Sequence, residues 1–265
     1  MFYSSRFRHA SCFGALLTVV ALFAFSLTVR AQKLERSPSD TVREFYKAMR
    51  EKRFREGFDL SIYGPAIDGL KPQEFQDLQP DFEVMAKAAP EIVEITGEQI
   101  SGDEATVFMK VPHEDEPAKI DIEPVSLIRV GGVWIIGDKD NQKVVKKAGS
   151  KFFFEARINA HQSDVVEMMG RISVAEIIYA QQHDGLFADL PTLIASGLVP
   201  KDIEGAATTG YRFHMTLGKD AKSYTAGAEP AEYGRTGRLS YFMDQAGVRN
   251  GDVKGKPLPT PPAIP

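Results

Sequence analysis

The chain has 265 residues, of which 43% are hydrophobic and 26% are charged, values typical of a folded globular protein and not of a disordered one. Its net charge is −4, and setting aside the three arginines of residues 1–31 leaves −7, which disfavours nucleic-acid binding because that needs clustered positive charge. The single cysteine is Cys12, so the rest of the chain has no disulfide, thiol nucleophile or thiolate metal site.

Residues 1–31 have the order of segments found in a secretory signal peptide. Two arginines form a basic start, the apolar run 13–29 follows, and Val29 and Ala31 stand where signal peptidase reads small residues. The alternative is an uncleaved anchor, because the run falls within the membrane-span range of about 17–25 residues. Either interpretation predicts export to the periplasm or the cell exterior, and the second adds a membrane anchor at 13–29.

Residues 35–140 predict an α+β domain in which helices precede an antiparallel sheet. Ser37 is a candidate helix cap, with Pro38 at the first helical position and an apolar face at helical spacing after it. Two further helices are expected, separated by a break at Gly64-Pro65. After Pro90 alternating apolar residues predict strands at 91–100, 104–111, 119–130 and 133–137, the last two joined by a Gly131-Gly132 turn.

The segment SPSDTV at 37–42 and the segment LIRVGGVWII at 127–136 carry a family resemblance. They resemble the opening and the close of small exported domains of the nuclear-transport-factor-2-like superfamily, which includes lumazine-binding-like domains. The resemblance implies a cone-shaped pocket, which the enzymes of that superfamily line with acidic or histidine side chains. The apolar strand positions here favour the members that lack such a set. An enzyme would need a buried ionisable group such as Glu94, Asp121 or Glu123.

Residues 141–162 form a basic connector that contains three consecutive phenylalanines, 152–154. One hypothesis is that 143–157 contacts a membrane surface weakly or docks a partner, since basic residues flank aromatic ones. The favoured hypothesis is an amphipathic connector whose aromatic rings pack against a domain. Asp138 and Asp140 precede it and are interpreted as solvated strand-end residues rather than a catalytic pair.

Residues 163–253 predict a second α+β domain, which begins with a helix capped by Ser163-Asp164. Glu167, Arg171 and Glu176 are assigned to the solvated face of this helix. A shorter helical element follows at 189–196. Strands are then expected at 210–215, 223–228 and 238–243, with 244–247 as the final turn.

Several elements of this second region occur in an order that resembles the globular part of type IV pilin-like and pseudopilin-like proteins. These elements are Ala180-Gln181 with Gly185, Leu190 and Leu193 with Gly197, Gly210-Tyr211 with Phe213, Tyr224 with Pro230, and Asp244 with Gly247. Pilins assemble through an apolar N-terminal helix, whereas here the helix carries charges and another domain precedes it. The resemblance therefore implies a detached, soluble pilin-like module that contacts other proteins. Residues 233–237 also resemble a segment of other exported bacterial proteins.

Candidate site residues in this region are few. Asp244, Asn250 and Asp252 are weak calcium candidates, because some pseudopilins bind calcium near their C-terminal strands and calcium takes six to eight oxygen ligands. Candidate protein-contact residues are Tyr211, Tyr233 and Tyr241, with core packing as the alternative. His183 and His214 are interpreted as surface or capping residues, and no catalytic, cofactor or firm metal motif is recognised.

The sequence thus predicts two helix-then-sheet α+β domains, at 35–140 and 163–253, and a disordered proline-rich tail at 254–265. The favoured function is that of an exported, non-catalytic binding or scaffolding protein of the bacterial envelope, whose partners are other envelope proteins and which uses no cofactor. One alternative is a small-molecule-binding protein or enzyme that uses the pocket of the first domain. Another is an accessory of a pilus or secretion system.

Overall fold

The structure is a computed structural model and describes residues 36–113, 119–205 and 209–260. The residues described from Arg36 onward form one compact unit, in which helices and two four-stranded antiparallel sheets alternate. The predicted α+β class, with helices before each sheet, is confirmed. No helix within the described ranges is both long and apolar enough to span a bilayer. The apolar run 13–29 and the predicted cleavage site lie outside the described residues.

The first half begins with four helices, α1 Pro38–Arg50, α2 Phe54–Asp59, α3 Gly64–Asp68 and α4 Pro72–Lys87. Ser37 caps α1, since its Oγ accepts a hydrogen bond from the Asp40 backbone N–H at 3.1 Å. Gly64 and Pro65, expected to break a helix, begin α3 instead, because proline is tolerated in the first turn of a helix.

The first sheet follows these helices in the sequential order β1 Glu94–Ser101, β2 Glu104–Pro112, β3 Ile120–Val130 and β4 Val133–Ile136. Ala105, Val107 and Met109 of β2 alternate with more exposed residues and are buried in a cluster that also contains Val42 of α1. The predicted turn between β3 and β4 is confirmed, because Gly131 and Gly132 have φ values of 59° and 84°.

Two helices lead from the first sheet to the second, α5 Lys139–Ala148 and α6 Phe152–Gln182, with a short 3₁₀ turn at 149–151 between them. The helix expected to begin at Ser163 therefore begins eleven residues earlier. Phe153 supplies the reason, because its buried ring lies 5.2 Å from the ring of Phe58 and 5.1 Å from that of Phe82. Burial of this aromatic ring stabilises residues 152–162 as a helix that packs on the first half of the molecule.

The second half contains α7 Leu190–Ala195 and the strands β5 Tyr211–Leu217, β6 Tyr224–Pro230, β7 Ser240–Asp244 and β8 Gly247–Gly251, paired in sequential order. The sequence does not predict β8, because its exposed, polar residues lack an apolar face. The start of the proline-rich tail lies beside this strand, where Arg249 donates a hydrogen bond to the Pro259 carbonyl oxygen.

A single helix, α6, contributes to the cores of both halves. Phe153 packs in the first core with side chains of α2, α3 and α4. Val165, Met169 and Ile172 pack in the second core against β5, β6 and β7. The two cores are consequently connected through one continuous helix.

Candidate functional site

The N-terminal segment of α6 joins α4 through a buried arginine. The Arg157 side chain is only 8% exposed. Its Nε donates to both carboxylate oxygens of Asp81 at 3.1 and 3.2 Å, and its Nη1 donates to Asp77 Oδ1 at 3.1 Å. Its Nη2 donates to Asp81 Oδ2 at 2.5 Å and to the Asp77 carbonyl oxygen at 2.7 Å. A forked guanidinium suits this arrangement, since it presents several donors in one plane.

The loop 231–239 extends this network to the second sheet. Arg235 donates a hydrogen bond to the other carboxylate oxygen of Asp77, and its guanidinium lies 5.0 Å from the centre of the Phe154 ring. His161 Nδ1 lies 2.9 Å from the Thr236 carbonyl oxygen. Residues 233–237 therefore serve to attach the second half to α4 and α6.

A second ion pair fixes the same loop to α6. Arg238 donates to both carboxylate oxygens of Glu155 at 2.6 Å, and this bond lowers the pKa of the Glu155 carboxyl. Gln162 Oε1 accepts hydrogen bonds from the backbone N–H groups of Arg238 and Leu239, each at 3.2 Å. These contacts hold the loop along the helix, because a bidentate ion pair and an amide fix both its position and its orientation.

A groove of about 530 Å³ lies between α4, α6 and this loop. Asp77, Asp81 and Arg157 line its charged region, beside His161 and Glu232. The two aspartates and the arginine already bond one another, so the charges that could recognise a ligand are used in joining the two halves. We therefore describe the groove as a structural junction.

The C-terminal segment of α6 presents an apolar face to solvent. Val166, Val174 and Ile177 are 52%, 56% and 54% exposed. Together with the exposed Gly170 they recur at intervals of three or four residues, which places them on one side of the helix. We call these four residues the α6 stripe. A surface helix would ordinarily carry polar side chains there, so the stripe is the most unusual exposed feature of this helix.

A shallow apolar depression of about 590 Å³ adjoins the α6 stripe. Leu198 and Pro200 form one wall, and Val174 and Ile178 contribute to the other. Glu167 and Arg171 lie at its edge and form an exposed ion pair, with 2.5 Å between Oε1 and Nη2. Contiguous exposed apolar surface bordered by charges is typical of a protein-contact site.

The opposite face of α6 contains a buried carboxyl group. Glu176 is fully buried, although the sequence assigned it to the solvated face. That assignment is wrong because Glu176 lies four residues after the buried Ile172 and seven after Met169, on the same side of the helix. Its Oε2 accepts a hydrogen bond from the Ala188 backbone N–H at 3.0 Å, and Oε1 has no hydrogen-bond partner. Burial raises the pKa of this carboxyl.

The three tyrosines predicted as protein contacts differ in exposure. Tyr211 and Tyr241 are buried in the second core, where their hydroxyls donate to the carbonyl oxygens of Leu239 and Gln162. Both rings lie within the core that packs against α6, so neither offers a contact surface. Tyr233 is 39% exposed, donates a hydrogen bond to Asp252 and accepts one from Lys254.

The structure does not bring the three calcium candidates together. Asp244 is the last residue of β7, where its Oδ1 accepts a hydrogen bond from the Ala246 backbone N–H in the turn to β8. Asn250 pairs with Tyr241 toward the far end of β8, and Asp252 follows that strand and bonds Tyr233. Among the described residues no group of three or more histidine, cysteine or acidic side chains is placed to hold a metal ion.

The two histidines considered in the second half have local partners. His214 Nε2 lies 3.0 Å from Oε1 of the buried Glu229. The His183 ring stacks on the Tyr179 ring, with their centres 3.8 Å apart. The first is a pair on the surface of a strand, and the second is a pair at the C-terminal end of α6.

The carboxylates that a pocket enzyme would need occupy exposed or half-exposed positions in the first sheet. Glu94 is paired with Lys110 and its side chain is 60% exposed. Asp121 lies 3.8 Å from His113. The exposed Glu123 pairs in register with the buried Met109 and raises the pKa of Tyr46, although burial of that hydroxyl is the larger cause.

The two aspartates that follow the first sheet serve α5. Asp138 caps this helix, since its Oδ1 accepts hydrogen bonds from the backbone N–H groups of Asp140 and Asn141 at 2.9 and 2.8 Å. The bonds from Asn141 and Asp140 lower the pKa of Asp138. Asp140 pairs with Lys143 on the exposed surface of the helix. Helix capping accounts for this pair of residues.

Comparison of the chain with family models, with curated proteins and with solved structures found no match in any of the three.

Proposed function

We propose that this chain is an exported, non-catalytic binding or scaffolding protein of the bacterial envelope, and that it acts by contacting another protein through the α6 stripe. The observation that carries the proposal is the exposure of three branched apolar side chains on one face of a helix whose other face is the core. Exposed apolar area of this kind is stabilised when a partner covers it, because its transfer out of water is favourable by roughly 25 cal/mol per Å².

The position of the stripe also supports this proposal. The N-terminal segment of α6 is fixed to both halves by Phe153, Arg157 and the Glu155–Arg238 pair. A helix held in this way presents its remaining surface with little freedom to rearrange, and a rigid surface loses less entropy on binding. Export is supported by residues 1–31, whose basic, apolar and small-residue segments follow the order of a signal peptide.

The proposal is tested by photo-crosslinking in intact cells. A photoreactive amino acid is placed at Val174 in the α6 stripe, and in a matched variant at Gln76, an exposed position of α4. We expect protein adducts at Val174 and few or none at Gln76, with the adducts in the periplasmic or extracellular fraction. The identity of the adduct shows whether the partner belongs to a pilus or secretion system. Equal yields at the two positions, or none at Val174, would refute the proposed contact face.

A further inference from the structure

The α6 stripe contains a glycine that the described residues of the chain do not require. Gly170 lies in the middle of α6, is exposed, and has no atom within 4 Å of the position that a Cβ would occupy. Glycine in an exposed helix interior costs about 1 kcal/mol relative to alanine. Its use here is accounted for if another backbone approaches the helix closely at this point, since only a residue without a side chain permits that approach.

The charged residues beside the α6 stripe can pair with those of a second copy in only one relative orientation of the two helices. Glu167 and Arg171 lie one helical turn apart on the same flank and form an exposed ion pair with each other, which can exchange partners at little cost because exposed ion pairs contribute little to stability. If a second α6 packs antiparallel with the crossing point at Gly170, Glu167 of one copy lies beside Arg171 of the other, and the reverse pair forms as well. Parallel packing would instead place this flank of the two copies on opposite sides of the interface, so neither pair would form.

Two of the three apolar residues of the stripe are arranged symmetrically about the same point. Val166 and Val174 lie four residues before and four residues after Gly170. In an antiparallel pair Val166 of each copy contacts Val174 of the other, one such contact lies on each side of the crossing, and the two glycines face each other. An isologous interface requires this property, because each surface must fit its own rotated image.

We infer that the partner of the α6 stripe is a second copy of this chain, packed antiparallel about a two-fold axis beside Gly170. This inference rests on the proposed function, because it names the partner of the same surface. The depression walled by Leu198 and Pro200 lies on the flank of Glu167 and Arg171 and widens the apolar surface that the second copy covers.

The first test uses Gly170→Ala, which has opposite expected effects on folding and on association. Sedimentation equilibrium of the purified protein from the full-length gene is expected to show a monomer–dimer equilibrium. The substitution is expected to raise the dissociation constant at least tenfold, because two methyl groups meet at the crossing. Urea unfolding of the dilute monomer is expected to shift to a higher midpoint, because alanine favours the helix. Gln76→Ala, an exposed mid-helix change on α4, is expected to leave the dimer unchanged.

The second test determines the orientation of the two copies. In a Cys12→Ser background, Val166→Cys chains and Val174→Cys chains are mixed and oxidised. Antiparallel packing predicts disulfides between the two kinds of chain in excess over those within each kind. An excess of like-with-like disulfides would overturn the inference, and so would a monomer at every concentration examined or an unchanged dimer in Gly170→Ala. If the protein is monomeric while Val174 still forms adducts with a different protein, the second copy is refuted and the proposed function stands.

Discussion

The two segments of α6 differ in what covers them. In the N-terminal segment the ring of Phe153 lies in the first core, and Glu155 and Arg157 bond the loop 231–239 and α4. In the C-terminal segment the inner face packs on the second sheet, and the outer face exposes the branched side chains of the α6 stripe. The same helix thus uses one segment for joining the molecule internally and leaves another segment uncovered. From this difference we expect substitutions in the N-terminal segment to affect folding and substitutions in the α6 stripe to affect the proposed contact with a partner.

The largest expected effect is at the most buried aromatic side chain of the N-terminal segment. Phe153→Ala is expected to lower the free energy of unfolding by about 3–5 kcal/mol, because it leaves a cavity among Phe58, Tyr63 and Phe82. Urea denaturation followed by circular dichroism measures this change. Val174→Ala on the exposed face is the control and, with both variants measured on the dilute monomer, is expected to change stability by no more than about 0.5 kcal/mol. Equal losses for the two variants would contradict this division of α6.

An intermediate effect is expected at the junction with α4. Arg157→Ala leaves two aspartates without their common partner and is expected to cost roughly 2–3 kcal/mol, at the lower end for a buried pair because both aspartates are about one-third exposed. Arg43→Ala removes an exposed pair with Asp40 and is the matched control, with an expected cost below about 1 kcal/mol. The same urea titration compares them. A loss for Arg157→Ala as small as that of the control would mean that the junction does not stabilise the molecule.

The smallest of these effects on stability is expected for substitution of Glu176, and its size should depend on pH. Because burial raises the pKa of this carboxyl in the folded state, the folded protein holds the proton more tightly than the unfolded chain. Stability should therefore be highest below the ordinary pKa of a glutamate and decrease as pH rises through the folded-state value. Glu176→Gln mimics the protonated acid and should remove this contribution to the pH dependence. Its stability should match the wild type at low pH and exceed it at higher pH.

Thermal unfolding of the dilute monomer across a pH series measures the Glu176 prediction, and Glu167→Gln on the exposed face is its control. The control should run parallel to the wild type apart from the loss of a weak surface ion pair. If Glu176→Gln also runs parallel to the wild type, the carboxyl is not held in its protonated form by burial, and water reaches it within the second core.

The fold class was predictable from local patterns, whereas the extent of α6 was not. Ser37 and Pro38 mark the start of α1, and Gly131 and Gly132 mark a tight turn, because these residues act through their own backbone or a neighbour's. Phe153 joins a helix because it packs against rings about 70 to 95 residues away in the chain. The three consecutive phenylalanines indicate packing against a domain, but nothing in the nearby sequence indicates that they share one helix with residues 163–182, and the local capping signal at Ser163 predicts a later start.

The candidate site was predicted less well, for a similar reason. The helical spacing of Met169, Ile172 and Glu176 could have placed the buried carboxyl, but a glutamate in a core contradicts the usual preference for solvent. Tyr211 and Tyr241 were considered for contacts because of their residue type, and their burial depends on which face of the second sheet packs on α6. The exposure of the α6 stripe likewise depends on which face of α6 packs on the second sheet, and sequence alone does not fix that face.

The continuity of α6 has a consequence for how the chain can be divided. A fragment that ends before Phe152 lacks an aromatic ring of the first core, and one that begins at Ser163 lacks Gln162, which holds the loop at Arg238 and Leu239. Neither half is therefore complete when the helix is cut at a point that looks like a boundary between modules. Recombination that exchanged one half for an unrelated sequence would have to carry a portion of this helix with it. We therefore expect the two halves to be retained together during evolution.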